Sequence, residues 1–567
     1  MTIPKTRLQV MWNRLLAVVE EQGQALIRAA FSPIVRESGD ISAGIFDAQG
    51  RMLAQAVTGT PGHINTMAEA VREMLPHFPV AEMAPGDVYT TNDPWIGSGH
   101  LNDFLMMAPI FHGGRPVAIS ACTSHVYDLG GLGMGPEGSD IYDEGLFVPP
   151  LKLVDRGEVS GPIMAMIKAN SRSAVANEGD IYALIACCDV AAARLTEMMA
   201  EFELSDLEAL ARHILTTSRR ATEAEIARLP RGTYRHRLMT DGYDFEIALE
   251  AALTISETGV HTDFTGSSGP SRFGINVPIK YAQAYAVYAM RTLIGQEIPN
   301  NAGSLAPFTF SAPEACIVNA QPPAPVAMRH NVGHMVCDLI FGAIERAMPG
   351  LAPAEGATCL WDIPLRSAPG AAREGFTEFA TELTHAGGMG ARPAKDGLSA
   401  TAFPSGIYGT QTEIAEATAP LQIHARRLIP DSGGAGRHRG GLGQEITLEH
   451  REGAGMVLFA GVERVKHAAL GREGGGEGAL GEIRLSSGEV LPGKGEFEIP
   501  GNTRLIWRAP GGGGYGPART RDPESVARDV ACGLVSPEAA REIYGVALTP
   551  EGGVDQAETT KLRARRP

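Results

Sequence analysis

Nowhere does the 567-residue chain carry the ~18 consecutive apolar residues that a membrane-spanning helix requires, so no such span is expected. Cysteine is sparse, at positions 122, 187, 188, 316, 337, 359 and 532, and no two form a Cys-x-x-Cys pair. The N-terminus, Met1-Thr2-Ile3-Pro4-Lys5, lacks an apolar signal region. Together these lead to an expectation of free thiols in a reducing cytoplasm. Basic residues are in deficit, 49 Lys and Arg against 65 Asp and Glu, for a formal net charge of −16. An acidic chain repels phosphate backbones, which sets nucleic acid aside as a partner. No fixed-period repeat marks a solenoid or propeller. No Gly-x-Ser-x-Gly elbow is present and no cysteine is set apart as a nucleophile, so a serine- or cysteine-hydrolase has no support.

Glycine and proline are abundant instead. The 68 and 38 residues stand together well above the roughly 12 % of average usage, which argues against a long-helix bundle or coiled coil. Residues 7–30 read as an amphipathic helix. A hairpin, Ile41 to Asp47 and Arg51 to Ala56, and a second strand pair, Phe104 to Phe111 and Pro116 to Thr123, follow. Helices are expected over 174–229, with Ser205-Asp206-Leu207-Glu208 as a capping box, and at 279–295 and 333–347. Residues 425–515 alternate apolar positions among glycines and predict a compact β region. Asp522-Pro523 and Ser536-Pro537 open two short helices, and the tail after Gly552 is expected to be mobile. Strands and helices fall in separate runs, so the fold class is α+β, multi-domain. The expected division is an N-terminal region 1–230 carrying the candidate metal residues, a central α+β region 231–424, the Gly-rich β region 425–520, and C-terminal helices with the tail, 521–567.

Candidate chemistry concentrates in Gly97-Ser98-Gly99-His100-Leu101-Asn102-Asp103 and Ser124-His125-Val126-Tyr127-Asp128. A His-x-x-Asp pair places an imidazole and a carboxylate on one side of a turn. His125, at the end of a nearby strand, completes a two-His, one-carboxylate set with open positions, which suits catalytic Mn, Fe or Zn. His100 and His125 read equally as hydrogen-bonding residues of a Gly-rich turn. Asp40, at a strand entry, is a candidate ligand or base, or the cap of a turn. Glu144 is a candidate general base for a metal-bound water, or an exposed loop carboxylate. His63, in Pro61-Gly62-His63, reads as a turn or helix-start histidine, and with Tyr127 it is a candidate substrate contact.

Gly488 to Lys494 has the spacing of a phosphate loop. Gly495 stands where Ser or Thr would hold magnesium, and Glu496-Phe497-Glu498-Ile499 reads as strand rather than helix, so no phosphate loop is assigned. Asp431 to Gly441 and Pro510 to Gly516 read either as anion-binding nests or as places where backbones approach closely.

Several of these stretches together resemble one family. Arg36-Glu37 to Asp40, Asp47-Ala48-Gln49-Gly50-Arg51, Thr91-Asn92-Asp93-Pro94 leading to Gly99-His100-Leu101-Asn102-Asp103, and Asp263-Phe264-Thr265-Gly266 with Gly274-Ile275-Asn276 are similar to segments of the hydantoinase B/oxoprolinase family. So are Asp431 to Gly443 and Pro510 to Gly516, and the likeness extends over about residues 5–520. One departure is Gly409-Thr410-Gln411-Thr412-Glu413, where relatives commonly have Asn-Thr-Pro before the Glu.

The resemblance implies metal ligation by His100, Asp103 and His125, with Asp40 at a family acidic position nearby. It also implies that ATP and Mg are bound by a separate A-type subunit or domain, so that this chain is the B-type half of a hetero-oligomer. The partner would phosphorylate a cyclic amide or imide oxygen, and a metal-bound water here would attack the activated carbon, with Asp40 or Glu144 accepting the proton. Two alternatives stand beside this cyclic-amide hydrolase: the large subunit of an acetone- or acetophenone-type carboxylase, and a non-catalytic scaffold.

Overall fold

The structure is a computed structural model and describes residues 3–57 and 60–564. It is α+β, as expected, and falls into two compact units, each assembled from discontinuous stretches of chain. Unit 1 comprises Met1–Arg235, Glu250–Arg329 and Gly406–Tyr408; unit 2 comprises His236–Leu249, His330–Ser405 and Gly409–Pro567. No helix among the described residues is long and apolar enough to cross a membrane. All seven cysteines are free.

Unit 1 is organised around an antiparallel seven-stranded sheet. Its strands are β1 (Ile41–Asp47), β2 (Met52–Gln55), β3 (Val88–Thr91), β4 (Asp103–His112), β5 (Arg115–His125), β6 (Leu151–Asp155) and β7 (Glu158–Val159), in the order β2-β1-β5-β4-β3-β6-β7. Both faces are covered. Ile45 and Ala118 pack with Leu15 and Val19 of the helix Lys5–Ala29 and with Leu195 and Met198 of Ala174–Glu201. Phe46, Met107 and Ile119 point the other way, onto Met67, Val71 and Met74 of Pro61–Met74. Two covered faces explain why β1, β4 and β5 are buried along almost their whole length instead of at alternate residues. In the same unit Val260–Asp263 pairs antiparallel with residues 252–255 and parallel with Phe308–Ser311.

The predicted capping box does not form. The helix starts at Glu208, two residues late for it, with Leu207 as its cap residue. Asp206 makes the local turn itself by accepting from the Glu208 amide at 3.0 Å, and Ser205 Oγ donates to Asp206.

Unit 2 packs two antiparallel sheets. One runs in the order Ala380–Leu383, Ile363–Ser367, Met456–Gly461, Lys494–Ile499. The other runs Leu421–Leu428, Gln444–His450, Leu505–Arg508, Glu482–Leu485, Val490–Leu491. Trp361 and Trp507 meet edge to face in their shared apolar core, ring centroids 5.5 Å apart. The glycine clusters lie side by side. The Gly434 amide donates to Gly512 at 2.8 Å, Gly512 to Gly441 at 2.9 Å, Gly441 to Met389 at 2.8 Å and Gly514 to Gly476 at 2.9 Å. A Cβ on Gly440 would overlap the Gly512 carbonyl, and one on Gly512 that of Met389. Of the two readings of these clusters the close approach of backbones is the right one: the amides that would line an anion nest are bonded to carbonyls.

Helices Pro523–Ala531 and Pro537–Glu542 begin at the expected Asp522 and Ser536, whose side chains accept from the Ser525 and Ala539 amides at 3.0 Å. The tail departs from expectation. Residues Gln556–Ala564 are helical, with Thr559 buried and bonded to the Ala547 amide at 3.0 Å and Arg563 donating to the Arg521 carbonyl at 2.6 Å. Residues 565–567 lie outside the described residues.

Candidate metal centre

Strand register in unit 1 gathers the candidate residues. β1 begins just after Asp40, β5 ends on His125 and β4 begins on Asp103, and in the antiparallel order β1-β5-β4 these are neighbouring strand ends. Asp103 and His125 are direct cross-strand partners, Ile41 stands opposite Ser124, and the His125 amide donates to the Asp40 carbonyl at 3.3 Å. His100 sits on the turn entering β4. Gly99 holds φ at +94°, and a Cβ there would lie 3.2 Å from Arg329 Cγ and 3.3 Å from Tyr281 Cβ, so the turn requires glycine on both counts. His63 comes from the N-terminus of the helix Pro61–Met74, where the Thr60 hydroxyl accepts from its amide at 3.3 Å.

Asp40, His63, His100, Asp103 and His125 are all 5 % exposed or less. Asp103 divides its oxygens between two tasks. Its Oδ2 accepts from Ser98 Oγ and from Arg329 Nη2 at 2.8 Å, and lies 2.9 Å from His63 Nε2. Its Oδ1 lies 2.8 Å from His100 Nε2 and 3.4 Å from His125 Nδ1. Asp40 approaches from the other side, Oδ1 at 3.3 Å from His63 Nδ1 and Oδ2 at 3.9 Å from His125 Nδ1. Arg329 is fixed by donating Nε to the Ser98 carbonyl at 2.9 Å and by stacking over Tyr281 at 4.4 Å.

The protonation states follow from these neighbours. Burial opposes ionisation of Asp103, but its charged neighbours, His63 and Arg329 among them, outweigh it and hold the carboxyl well below its usual range. Burial also opposes charge on His63, yet Asp103 and Asp40 leave its pKa raised. For His100, burial and Arg329 push the pKa down to about 3, so the ring is neutral at pH 7. Its Nδ1 lies 3.1 Å from the Ala327 carbonyl, an acceptor, so Nδ1 carries the proton and Nε2 presents a lone pair. That lone pair faces the Oδ1 of an ionised Asp103 at 2.8 Å. His100 Nε2 and Asp103 Oδ1 are buried without a hydrogen-bond donor, and Asp40 Oδ1 has only the 3.3 Å approach of His63 Nδ1. Acceptors converging with no proton between them fit a cation. The ligand atoms of His100, Asp103 and His125 all lie within 4.8 Å of one another, a two-imidazole, one-carboxylate donor set suited to a divalent transition metal.

The other predicted residues are placed as follows. His63 is indeed a helix-start histidine, and it joins the cluster by bridging its two carboxylates. Tyr127 is half-buried and packs against the apolar cluster around Phe104 and Val126. Glu144 is no exposed loop carboxylate. It is buried in the short helix Ile141–Glu144, and its Oε1 accepts from the Val326 and Ala327 amides at 2.6 and 2.8 Å. Burial raises its pKa to about 8 against the lowering effect of those two amides, with Asp140 and Asp143 adding to the rise. Sequence reasoning passed over Arg329 and Tyr281. No local spacing relates Arg329 to Asp103, 226 positions away.

The chain is similar to several known proteins over nearly its whole length. The putative B component of a D-/L-hydantoinase from a Pseudomonas species is 26 % identical, over 98 % of this chain and 97 % of its own. The beta chain of the caprolactamase of Pseudomonas jessenii is 28 % identical over 99 % of both chains. The crystal structure of the ATP-dependent caprolactamase from the same organism superposes with a TM-score of 0.88 at 26 % identity, covering 100 % of both chains. The Hydantoinase B/oxoprolinase profile matches residues 5–518, and this chain therefore belongs to the hydantoinase B/oxoprolinase family.

Proposed function

We propose that this chain is the B-type half of an ATP-dependent hydrolase of cyclic amides or imides, working with an A-type, ATP- and Mg-binding partner in a hetero-oligomer. The observation that carries the proposal is the convergence of His100, Asp103 and His125, whose ligand atoms lie within 4.8 Å of one another, with His100 Nε2 and Asp103 Oδ1 buried and without a donor. Full-length relatives named as components of a hydantoinase and a caprolactamase supply the substrate class.

His100, Asp103 and His125 would hold a divalent Mn, Zn or Fe ion beside Asp40. Such an ion, when bound, supplies Lewis acidity and lowers the pKa of a coordinated water. The chain's own residues prepare the site. Ala327 fixes the tautomer of His100, and Ser98, His63 and Arg329 turn Asp103 so that Oδ1 remains for the ion. Asp40, which approaches His125 with its Oδ2, would accept the proton of the attacking water. The partner transfers the γ-phosphoryl group of ATP to the amide oxygen, which makes the ring carbon electrophilic. One water then opens the C–N bond and leaves an acyl phosphate, and a second water releases phosphate from it. Tyr127, half-buried beside the apolar cluster around Phe104 and Val126, would contact the ring.

The test is reconstitution with the A-type partner and a panel of caprolactam, 5-oxoproline and hydantoin. ATP-dependent ring opening is expected, and His100→Ala or His125→Ala should lose bound metal and turnover together. Full turnover by a complex stripped of metal would overturn the proposal.

A further inference from the structure

Gly274-Ile275-Asn276 and Glu144 lie apart from the ligand atoms, yet both hold the same short segment, residues 325–329. Asn276 Nδ2 donates to the Pro325 carbonyl at 3.0 Å, and the Gly274 carbonyl accepts from the Met328 amide at 2.7 Å. Glu144 Oε1 takes the two amides between them, Val326 and Ala327. The fit is close, since a Cβ on Gly138 or on Gly274 would stand 3.2 Å from the Glu144 side chain. The remaining groups of the segment reach the metal centre. The Ala327 carbonyl meets His100 Nδ1, and Arg329 grips Asp103 Oδ2.

We propose that Glu144 and Asn276 are positioning residues that act through this strap, fixing the Ala327 carbonyl that selects the His100 tautomer and the Arg329 that orients Asp103. The inference rests on His100 and Asp103 being ligands. Its physical basis is that an imidazole offers a lone pair at only one nitrogen, and the partner of the other nitrogen decides which. Ala327 carries both halves of the link. Its amide is held by Glu144, and its carbonyl, in the next peptide plane whose Met328 amide is bonded to Gly274, takes the His100 proton, so loss of the carboxyl releases one side of the Ala327 Cα and lets the carbonyl turn away from the ring. Glutamine keeps an acceptor for the two amides, whereas leucine removes it. Asn276 acts at the other end of the strap, and Asp there would set a carboxylate against the Ser271, Phe273 and Pro325 carbonyls that the amide now serves.

The experiment uses the full chain labelled with ¹⁵N-histidine. Metal-free spectra read the tautomer of His100, assigned by the signal that His100→Ala loses, and electron paramagnetic resonance of Mn(II) reads affinity. The wild-type chain should show Nδ1–H at His100. Glu144→Leu should mix the tautomers and weaken Mn(II) binding about 10- to 100-fold, and Glu144→Gln should retain both properties. Asn276→Asp should follow Glu144→Leu, and it supplies the result if the leucine variant does not fold by circular dichroism. An unchanged His100 signature in a folded Glu144→Leu or Asn276→Asp overturns the proposal, as does a glutamine variant that behaves like leucine. If the wild-type chain binds neither Mn(II) nor Zn(II), the metal assignment fails, and the metal-free tautomer still decides the strap.

Discussion

Each unit buries a group of charges, and the two groups are balanced in opposite ways. In unit 2, Arg464 is 1 % exposed and donates to Asp338 at 2.9 Å and to Glu355 at 3.1 Å, while Thr358 Oγ1 also donates to Asp338 at 2.5 Å. Lys494 meets Glu463 at 2.6 Å, and Glu463 in turn accepts from the Asp241 amide at 2.7 Å. Each of these carboxylates faces a cation that belongs to the chain. In unit 1 the chain's cation, Arg329, and His63 attend only one oxygen of Asp103. The other oxygen and His100 Nε2 face each other at 2.8 Å without a donor. Burial of charge therefore does not by itself mark a site. A group whose charges close on each other braces the fold, and one that leaves converging acceptors calls for something from outside.

The sharpest way to break this comparison is to open the closed network. Arg464→Met leaves Asp338 and Glu355 buried without their cation and should destabilise the protein by about 3–5 kcal/mol in denaturant titration, with metal or chelator making no difference. Burial already raises the Asp338 pKa to about 6, with Arg464 opposing and Glu355 adding to the rise. Without Arg464 the native carboxyl binds its proton more tightly than the unfolded one, so the deficit should shrink as pH falls toward 5. A chelator-sensitive deficit would contradict the division between brace and site.

A smaller effect is expected from emptying the open cluster. At metal 100-fold above Kd, the wild-type chain should lose about 2.7 kcal/mol on chelation, and His100→Ala should lose nothing. Equal responses of the two proteins would sink the contrast. The gentlest effect at any one pH is a slope, and it concerns Glu144, whose native pKa near 8 exceeds the ordinary 4.5. Between those values the folded state holds more protons than the unfolded one, so the group's contribution is present below about pH 4.5 and is lost as pH rises through 8. Glu144→Gln should remove this component, which is at most about 1.4 kcal/mol per pH unit, and flatten the pH dependence of stability relative to wild type. Parallel pH profiles for the two proteins would show that Glu144 titrates normally.

Much of the architecture is legible in the sequence because it is governed by short-range periodicity and caps. The helix read over 7–30 forms at Lys5–Ala29, and the strand pair read at 104–111 and 116–123 forms as β4 and β5. The Pro-led helices start where Asp522 and Ser536 predict. The Gly488–Lys494 stretch is a turn and strand, with Lys494 directed inward to Glu463, in keeping with the absence of a phosphate loop there. Where the local signal misleads, a longer-range contact prevails. The tail is helical because Thr559 and Arg563 find partners at Ala547 and Arg521. Glu144 reads as a loop carboxylate because no local pattern announces amides 182 positions away.

What the sequence determined by itself was the inventory: an acidic, glycine-rich α+β chain, a His-x-x-Asp turn entering one strand and a histidine leaving the next. Those features depend on residues close in the chain, where spacing and side-chain chemistry suffice. The tertiary structure alone decided which groups meet. Strand register set Asp40, Asp103 and His125 at neighbouring strand ends, and packing brought His63 and Arg329 to the same carboxylate. It also gave the glycines of unit 2 their meaning, since only the approach of one backbone to another excludes a Cβ, and that approach is written in no single stretch of the chain.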